Sequence, residues 1–496
     1  MADETAKKTK EDKDQPQPVD NIVTTHHTLR LRGREIKYTA RVGTIVLKEE
    51  VEKEGHKAIA EMFFISFTRD GVRKKASRPL TFSFNGGPGS SSVWMLLGLL
   101  GPKRVPLSID DSKSVNRLAP PFDVTDNEYT LLEETDLVFI DPVGTGYSRP
   151  LSGDKSDPDE FFTFRRDLDS VGEFIRLYVS RNSRWNSPKF LIGESYGTTR
   201  ACGLSGFLQD RYGLYLNGIM LVSAVLNFQT LLFKPGNDLP FLLYLPSYAM
   251  AARFHGKLTR RYLKMPQEKL LAEVREFAEG DYNLALMKGN RLTGDERKSI
   301  AARLSTYTGL DEEYILGSNL RVPIMRFARE ILRAEGKSVG RFDSRITGVD
   351  KDNVSENFER DPSFDPVQGV YSACLNNYVR LELKFESDLP YEILSFKVLP
   401  KWKYDEHEND FVNVAETLRG TMMKNPHLQL FVACGLYDLA TPFFAMEYTM
   451  DHLGLKNGVE ENVEMAYYDA GHMMYTHKKS LSRLSADLRK FIKRAS

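Results

Sequence analysis

The stretch from Lys189 to Arg200, KFLIGESYGTTR, decides the fold. Its first half is a short apolar run of the kind that forms a parallel strand buried on both faces. Its second half opens a helical-looking segment, TTRACGLSGFLQDRY. Between the two lies Gly193-Glu194-Ser195-Tyr196-Gly197, a G-x-S-x-G at a strand-to-helix junction. A serine there sits in a tight, strained turn, and glycines two places away are needed because side chains would collide with the neighbouring strand and helix. The turn exposes the Ser195 hydroxyl at the C-terminal edge of the sheet. An ordinary turn is the plain alternative, since the bare pattern arises by chance in long chains, but the flanking strand and helix favour the functional reading.

Working outward, runs of the same kind recur, each closed by Gly, Pro or Ser: PLTFSF before Asn85, DLVFIDP around 136 to 142, GIMLVSA at 218 to 224, LQLFVACG at 428 to 435 and VEMAYYDAG at 463 to 471. Helical stretches such as RRDLDSVGEFIRLYVSR separate them, which implies a mostly parallel sheet with helices on both faces. Upstream, from about 26 to 70, the alternating segments THHTLRLRGREIKYTARVGTIVL and KAIAEMFFISFTRDG predict antiparallel strands ending at a turn, Asp70-Gly71. Between 229 and 370 the pattern turns charged and helical, in QEKLLAEVREFAEG, ERKSIAARLSTYTG and PIMRFAREILRAEG. The predicted organisation is a disordered tail over 1–22, a first core part over 23–228, a helical cap insertion over 229–370 and a second core part over 371–496.

Composition narrows the function classes. The chain has 68 basic and 68 acidic residues in 496, and a zero formal balance argues against nucleic acid or an anionic membrane as partner. The basic amphipathic segment at the end, KSLSRLSADLRKFIKRA, reads as a solvated face. Three cysteines, Cys202, Cys374 and Cys434, allow at most one disulfide. Residues 1–20 carry no apolar h-region, so a cytoplasmic location is expected, with a periplasmic or secreted one as the alternative for a chain whose leader has been removed. No H-E-x-x-H or paired Cys-x-x-Cys is present, and neither a metal nor a cofactor is expected.

A serine hydroxyl is a weak nucleophile and needs a base, itself oriented by a carboxylate. In the α/β-hydrolase order, Ser then acid then His, the acid and base follow the last strands. LFVACG runs into Leu436-Tyr437-Asp438, and MAYYDAG runs into His472. Asp438 and His472 are therefore the candidate acid and base. Asp469 is a rival acid that precedes His472 on the same strand end. His477 is the rival base in a charged helix start, and the other seven histidines have bland positions in strands, turns and helices. An acyl transfer also needs oxyanion donors. The Tyr196 amide is one, and the glycine-rich loop Asn85-Gly86-Gly87-Pro88-Gly89 supplies the other. A phosphate loop would end in Gly-Lys-Ser/Thr, and this one does not. Gly144-Thr145-Gly146 lacks the third glycine of a dinucleotide site.

These blocks resemble the serine carboxypeptidase family. FNGGPGSSS is similar to its substrate-binding loop, DPVGTGYS to its second loop, GESYG to its nucleophile turn, GLYDLATP to its acid loop and DAGHMM to its histidine loop, in the family's order over 84 to 474. The resemblance implies the α/β-hydrolase fold. It implies a serine-type carboxypeptidase that releases C-terminal residues from peptides or proteins through an acyl-enzyme on Ser195, with Gly87 and Tyr196 as oxyanion donors. It further implies that Asn85 and Glu194 bind the substrate's terminal carboxylate. Glu194 can donate to a carboxylate only while protonated, so an acidic preference is expected. The chain departs from the family at Phe84 and Ser90, where tryptophan and cysteine are usual, and at Met473-Met474-Tyr475, where Val-Pro is usual. Two other readings are a carboxylesterase or acyltransferase on the same scaffold, and a catalytically silent binding module; the latter typically loses a triad residue, and this chain keeps all three.

Overall fold

The computed structural model describes residues 18–51, 55–107, 119–151, 158–407 and 410–496. Most of the tail expected to be disordered lies outside them, but the boundary at 22 needs correcting. Strand β1 (Asn21–Leu31) already begins at Asn21, because Asp20 anchors it. One carboxylate oxygen of Asp20 accepts from the Val46 amide at 2.9 Å and the other from Arg181 at 2.6 Å.

β1, β2 (Arg34–Val51) and β3 (Gly55–Arg69) form the antiparallel meander that the alternating sequence predicted. β3 then pairs antiparallel with β5 (Asp136–Ile140), where the parallel part begins. It comprises β4 (Leu80–Phe84), β6 (Lys189–Ser195), β7 (Gly218–Ala224), β8 (Gln429–Gly435) and β9 (Val463–Tyr468), in the spatial order β1-β2-β3-β5-β4-β6-β7-β8-β9. This mixed, mostly parallel sheet with helices on both sides is the α/β-hydrolase fold.

The apolar runs do not alternate with polar residues because both faces are covered. Leu191, Ile219, Leu221, Leu430 and Val432 pack on one side with Val171 and Phe174 of α1 (Phe164–Arg181) and Leu204 of α2 (Tyr196–Tyr212). Phe190, Ile192, Met220, Val222 and Phe431 pack on the other, against α6 (Asp365–Leu381) and α7 (Lys478–Ala495). The polar face of α7 remains exposed, and no helix among the described residues is long and apolar enough to cross a membrane. Cys202, Cys374 and Cys434 are buried free thiols.

Between β7 and α6 run α3 (Leu245–Phe254), α4 (Gln267–Phe277) and α5 (Gly294–Thr308), with shorter helices. Two details differ from the sequence reading. PIMRFAREILRAEG is α-helical only over Ile324–Glu330; a single 3-10 turn follows at Arg333–Glu335 and is capped by Gly336, whose φ of 66° is left-handed. The boundary at 370 falls inside α6, which starts at Asp365 with proline in its first turn.

A buried ion cluster ties β5 to the segments before β4 and β6. Asp136 accepts from Arg78 Nε and Arg184 Nη1, each at 2.6 Å, and all three side chains are under one-tenth exposed. Asp136→Ala would leave two guanidiniums buried without their carboxylate. It is expected to lower unfolding stability by about 3–5 kcal/mol in chemical denaturation. A loss below about 1 kcal/mol would show the cluster to be dispensable.

Candidate active site

Ser195 closes β6 and caps α2 with φ 59° and ψ −130°, a left-handed conformation rare outside glycine. The neighbouring glycines make the turn possible. A Cβ on Gly193 would overlap the Gly197 carbonyl oxygen, and one on Gly197 would lie 2.7 Å from the Phe84 carbonyl oxygen. β4, β6 and α2 thus meet at van der Waals limits around the serine. A Cβ on Gly86 would overlap the Tyr196 amide nitrogen, so the loop after β4 runs directly against the first helical residue. Gly87, with φ 105°, turns the loop there. The first amides of α2 have no partner within the helix, so the Tyr196 N–H is available at the positive end of its dipole.

Asp438 follows β8 and His472 follows β9. His472 Nδ1 lies 2.8 Å from Asp438 Oδ2. Asp438 is wholly buried; its Oδ1 accepts from the amides of Ala440 (2.7 Å) and Thr441 (3.0 Å), and its Oδ2 from the Thr441 hydroxyl (2.7 Å). With every lone-pair direction used, the carboxylate is locked, and the proton on His472 Nδ1 points at it. This leaves Nε2 as the basic nitrogen. Burial pulls the imidazole pKa down, but the adjacent carboxylate outweighs it, and the net shift is upward.

β9 ends at Tyr468, short of the predicted Gly471, because the next three residues turn to carry His472 across the strand ends. A clasp from Phe342, Asp343 and Arg345 holds that turn. The Phe342 carbonyl accepts from the His472 amide at 2.6 Å, and the Phe342 ring packs 5.0 Å from the imidazole. Arg345 donates to the Asp469 carbonyl at 2.8 Å and pairs with Asp343, whose carboxylate accepts from the Gly471 amide at 3.2 Å. Ser195 stands opposite Ala224 across β6 and β7, and the adjacent Ser223 hydroxyl donates to the His472 carbonyl at 2.6 Å. The three candidate residues therefore occupy neighbouring strand ends. The carboxylate on the imidazole belongs to Asp438 rather than Asp469. His477, read as lying in a charged helix start, is in fact buried and bonded to Ser480 at 2.8 Å.

Asn85 and Glu194 are each 2% exposed and hydrogen-bonded to each other through Asn85 Nδ2 and Glu194 Oε2. The amide orientation is set by the Met95 backbone N–H, which donates to Asn85 Oδ1 at 3.0 Å. Burial pushes the Glu194 pKa up to about 7. Three supporting residues escaped the sequence reading. Arg200, one turn into α2, donates to the Asn85 carbonyl at 2.6 Å and pairs with buried Asp167 at 2.8 Å. Asp141 accepts from the Ser92 amide and the Tyr391 hydroxyl, each at 2.8 Å, pinning the glycine-rich loop to the second one. Tyr475 donates to both Glu194 oxygens, at 3.0 and 2.9 Å. Only Tyr475 carried a signal, as a departure from the usual residues after the histidine.

Comparison with known proteins bears on this arrangement. A family model described as serine carboxypeptidase matches residues 51–222. Pheromone-processing carboxypeptidase KEX1 of Saccharomyces cerevisiae is 35% identical over 160 residues, 31% of this chain and 20% of that protein. Serine carboxypeptidase-like 33 of Arabidopsis thaliana is 27% identical over 165 residues, 32% of this chain and 30% of that protein. The match thus spans about a fifth to a third of these relatives' length. The crystal structure of the Saccharomyces cerevisiae prohormone-processing carboxypeptidase superposes over 91% of both chains, with a TM-score of 0.53 and 19% identity, which supports the shared fold.

Proposed function

We propose that this chain, whose residues 51–222 match the serine carboxypeptidase family, releases C-terminal residues from peptides or proteins through an acyl-enzyme on Ser195. The observation that carries the reading is the buried carboxyl of Glu194, immediately before the nucleophile and bonded to Asn85. A peptide reaching Ser195 with its last residue sets its terminal carboxylate against this pair. Protonated Glu194 donates to one of its oxygens, and the second N–H of Asn85 Nδ2 serves another. His472 Nε2 takes the Ser195 proton as the hydroxyl attacks the scissile carbonyl. The Gly87 and Tyr196 amides stabilise the oxyanion. His472 then protonates the departing amine, and water, activated by the same nitrogen, hydrolyses the ester.

The pH dependence follows from two groups. Glu194 must be protonated, and with its pKa near 7 the binding of a free carboxylate weakens as pH rises through about 7. His472 must be neutral at Nε2, so the rate falls on the acid side as the imidazole protonates. The test is kcat/KM for an N-blocked dipeptide from mildly acid to mildly alkaline pH. A decline above about pH 7, carried by KM, is expected. A flat profile would remove Glu194 from substrate binding.

A further inference from the structure

The geometry points to Tyr475 as a positioning residue that, with Asn85, saturates one oxygen of Glu194 and so keeps the donating proton on the other. This rests on the carboxypeptidase reading above and names a residue outside the three candidate catalytic ones. Two donors converge on Oε2: Asn85 Nδ2, whose orientation the Met95 amide settles, and the Tyr475 hydroxyl at 2.9 Å. Oε1 receives only the longer branch of the same hydroxyl, at 3.0 Å. A carboxylic acid places its proton on the oxygen that accepts less, because an O–H aimed at two other donors would meet like partial charges. The proton therefore resides on Oε1, and once it does, the Tyr475 hydroxyl commits to Oε2. The acid is thus held in one protomer, ready to donate to a substrate carboxylate without first rotating or exchanging its proton.

The tyrosine has a dedicated seat. Its ring lies where a side chain on Gly98 would begin, beside the Tyr371 hydroxyl, so an alanine at 98 would meet the ring edge. Tyr475 is fully buried, which prevents water from supplying the hydrogen bond in its place. The titratable and charged groups facing Glu194 are His472 and Tyr475 from the histidine loop, Asp438 from the acid loop and Tyr371 from α6. His472 and Tyr475 favour ionised Glu194, whereas Asp438 opposes it.

Tyr475→Phe keeps the ring on Gly98 and removes only the hydroxyl. KM for an N-blocked dipeptide is expected to rise roughly fivefold to tenfold at mildly acid pH with kcat little changed. Turnover of a simple ester lacking the carboxylate should be unaffected. Because the lost bond stabilised the ionised form, the alkaline limb should move to higher pH. Difference infrared spectroscopy of isotope-labelled protein, with Glu194→Gln to identify the band, should show the Glu194 carboxyl remaining protonated to higher pH in Tyr475→Phe. An unmoved carboxyl titration together with an unchanged KM would overturn the proposal. So would equal losses on ester and dipeptide, the mark of a purely structural role. The infrared readout tests Tyr475 even for an enzyme that cleaves no peptides, whereas wild-type protein that ignores the dipeptide counts against the carboxypeptidase reading.

Discussion

Ser195→Ala is expected to lower kcat toward free-carboxylate dipeptides by about 10⁶ while leaving the protein folded. Alanine occupies the same left-handed φ of 59° at no greater strain than serine. The glycine contacts that shape the turn are backbone contacts and survive the change. What disappears is the hydroxyl that the turn between β6 and α2 carries. The Asp438–His472 pair and the oxyanion amides remain, and residual catalysis over water of about 10³ to 10⁴ would survive through them. Steady-state kinetics and covalent labelling by a fluorophosphonate check this together: wild type labels once and the variant not at all. A variant retaining more than about one hundredth of wild-type kcat would place the nucleophile elsewhere.

The second large effect is at Asp438. In Asp438→Asn the amide must satisfy the same surroundings, and these choose its orientation. The Ala440 and Thr441 amides both donate to Oδ1, so the side-chain carbonyl oxygen stays there and the NH₂ takes the place of Oδ2. That NH₂ then faces His472 Nδ1, at present 2.8 Å from the carboxylate. Two donors cannot face each other, so the imidazole moves its proton to Nε2 and presents an N–H where a base is required. A loss of about 10⁴ in kcat follows, with little change in KM, since no carboxylate-binding group is touched. Recovery at high pH would support the tautomer argument, and a loss under about tenfold would show that His472 does not depend on Asp438.

Much of this was legible in the sequence for identifiable reasons. The parallel strands are buried on both faces, which writes them as unbroken apolar runs, and each delivers a loop whose Gly, Asp or His follows within a few residues. Ser195 is the last residue of such a strand, and Asp438 and His472 follow one by three and four residues, so the ends of the apolar runs marked them as candidates. The meander of β1 to β3 showed in its alternation. Boundaries were harder. The cut at 370 divided α6, since the change from charged to apolar helix does not coincide with the end of an element, and β9 was read three residues too long because the turn residues Asp469-Ala470-Gly471 were counted with the apolar run that stops at Tyr468.

The supporting contacts were illegible because they join distant segments. Arg345 reaches the Asp469 carbonyl across 124 residues, and Tyr475 reaches Glu194 across 281. Nothing in the local pattern of either residue marks the partner. Arg200 is similar: on a helix it reads as an ordinary polar position, and only the fold brings it under the Asn85 carbonyl.

The most direct measurement is the release of the terminal residue from an N-blocked dipeptide, set beside its C-terminal amide, at about pH 7 with the full chain. The account predicts rapid hydrolysis of the free acid, and turnover of the amide lower by at least about 10² because the amide offers no carboxylate to Glu194 and Asn85. Equal turnover of both, or neither alongside fast cleavage of simple esters, would contradict it.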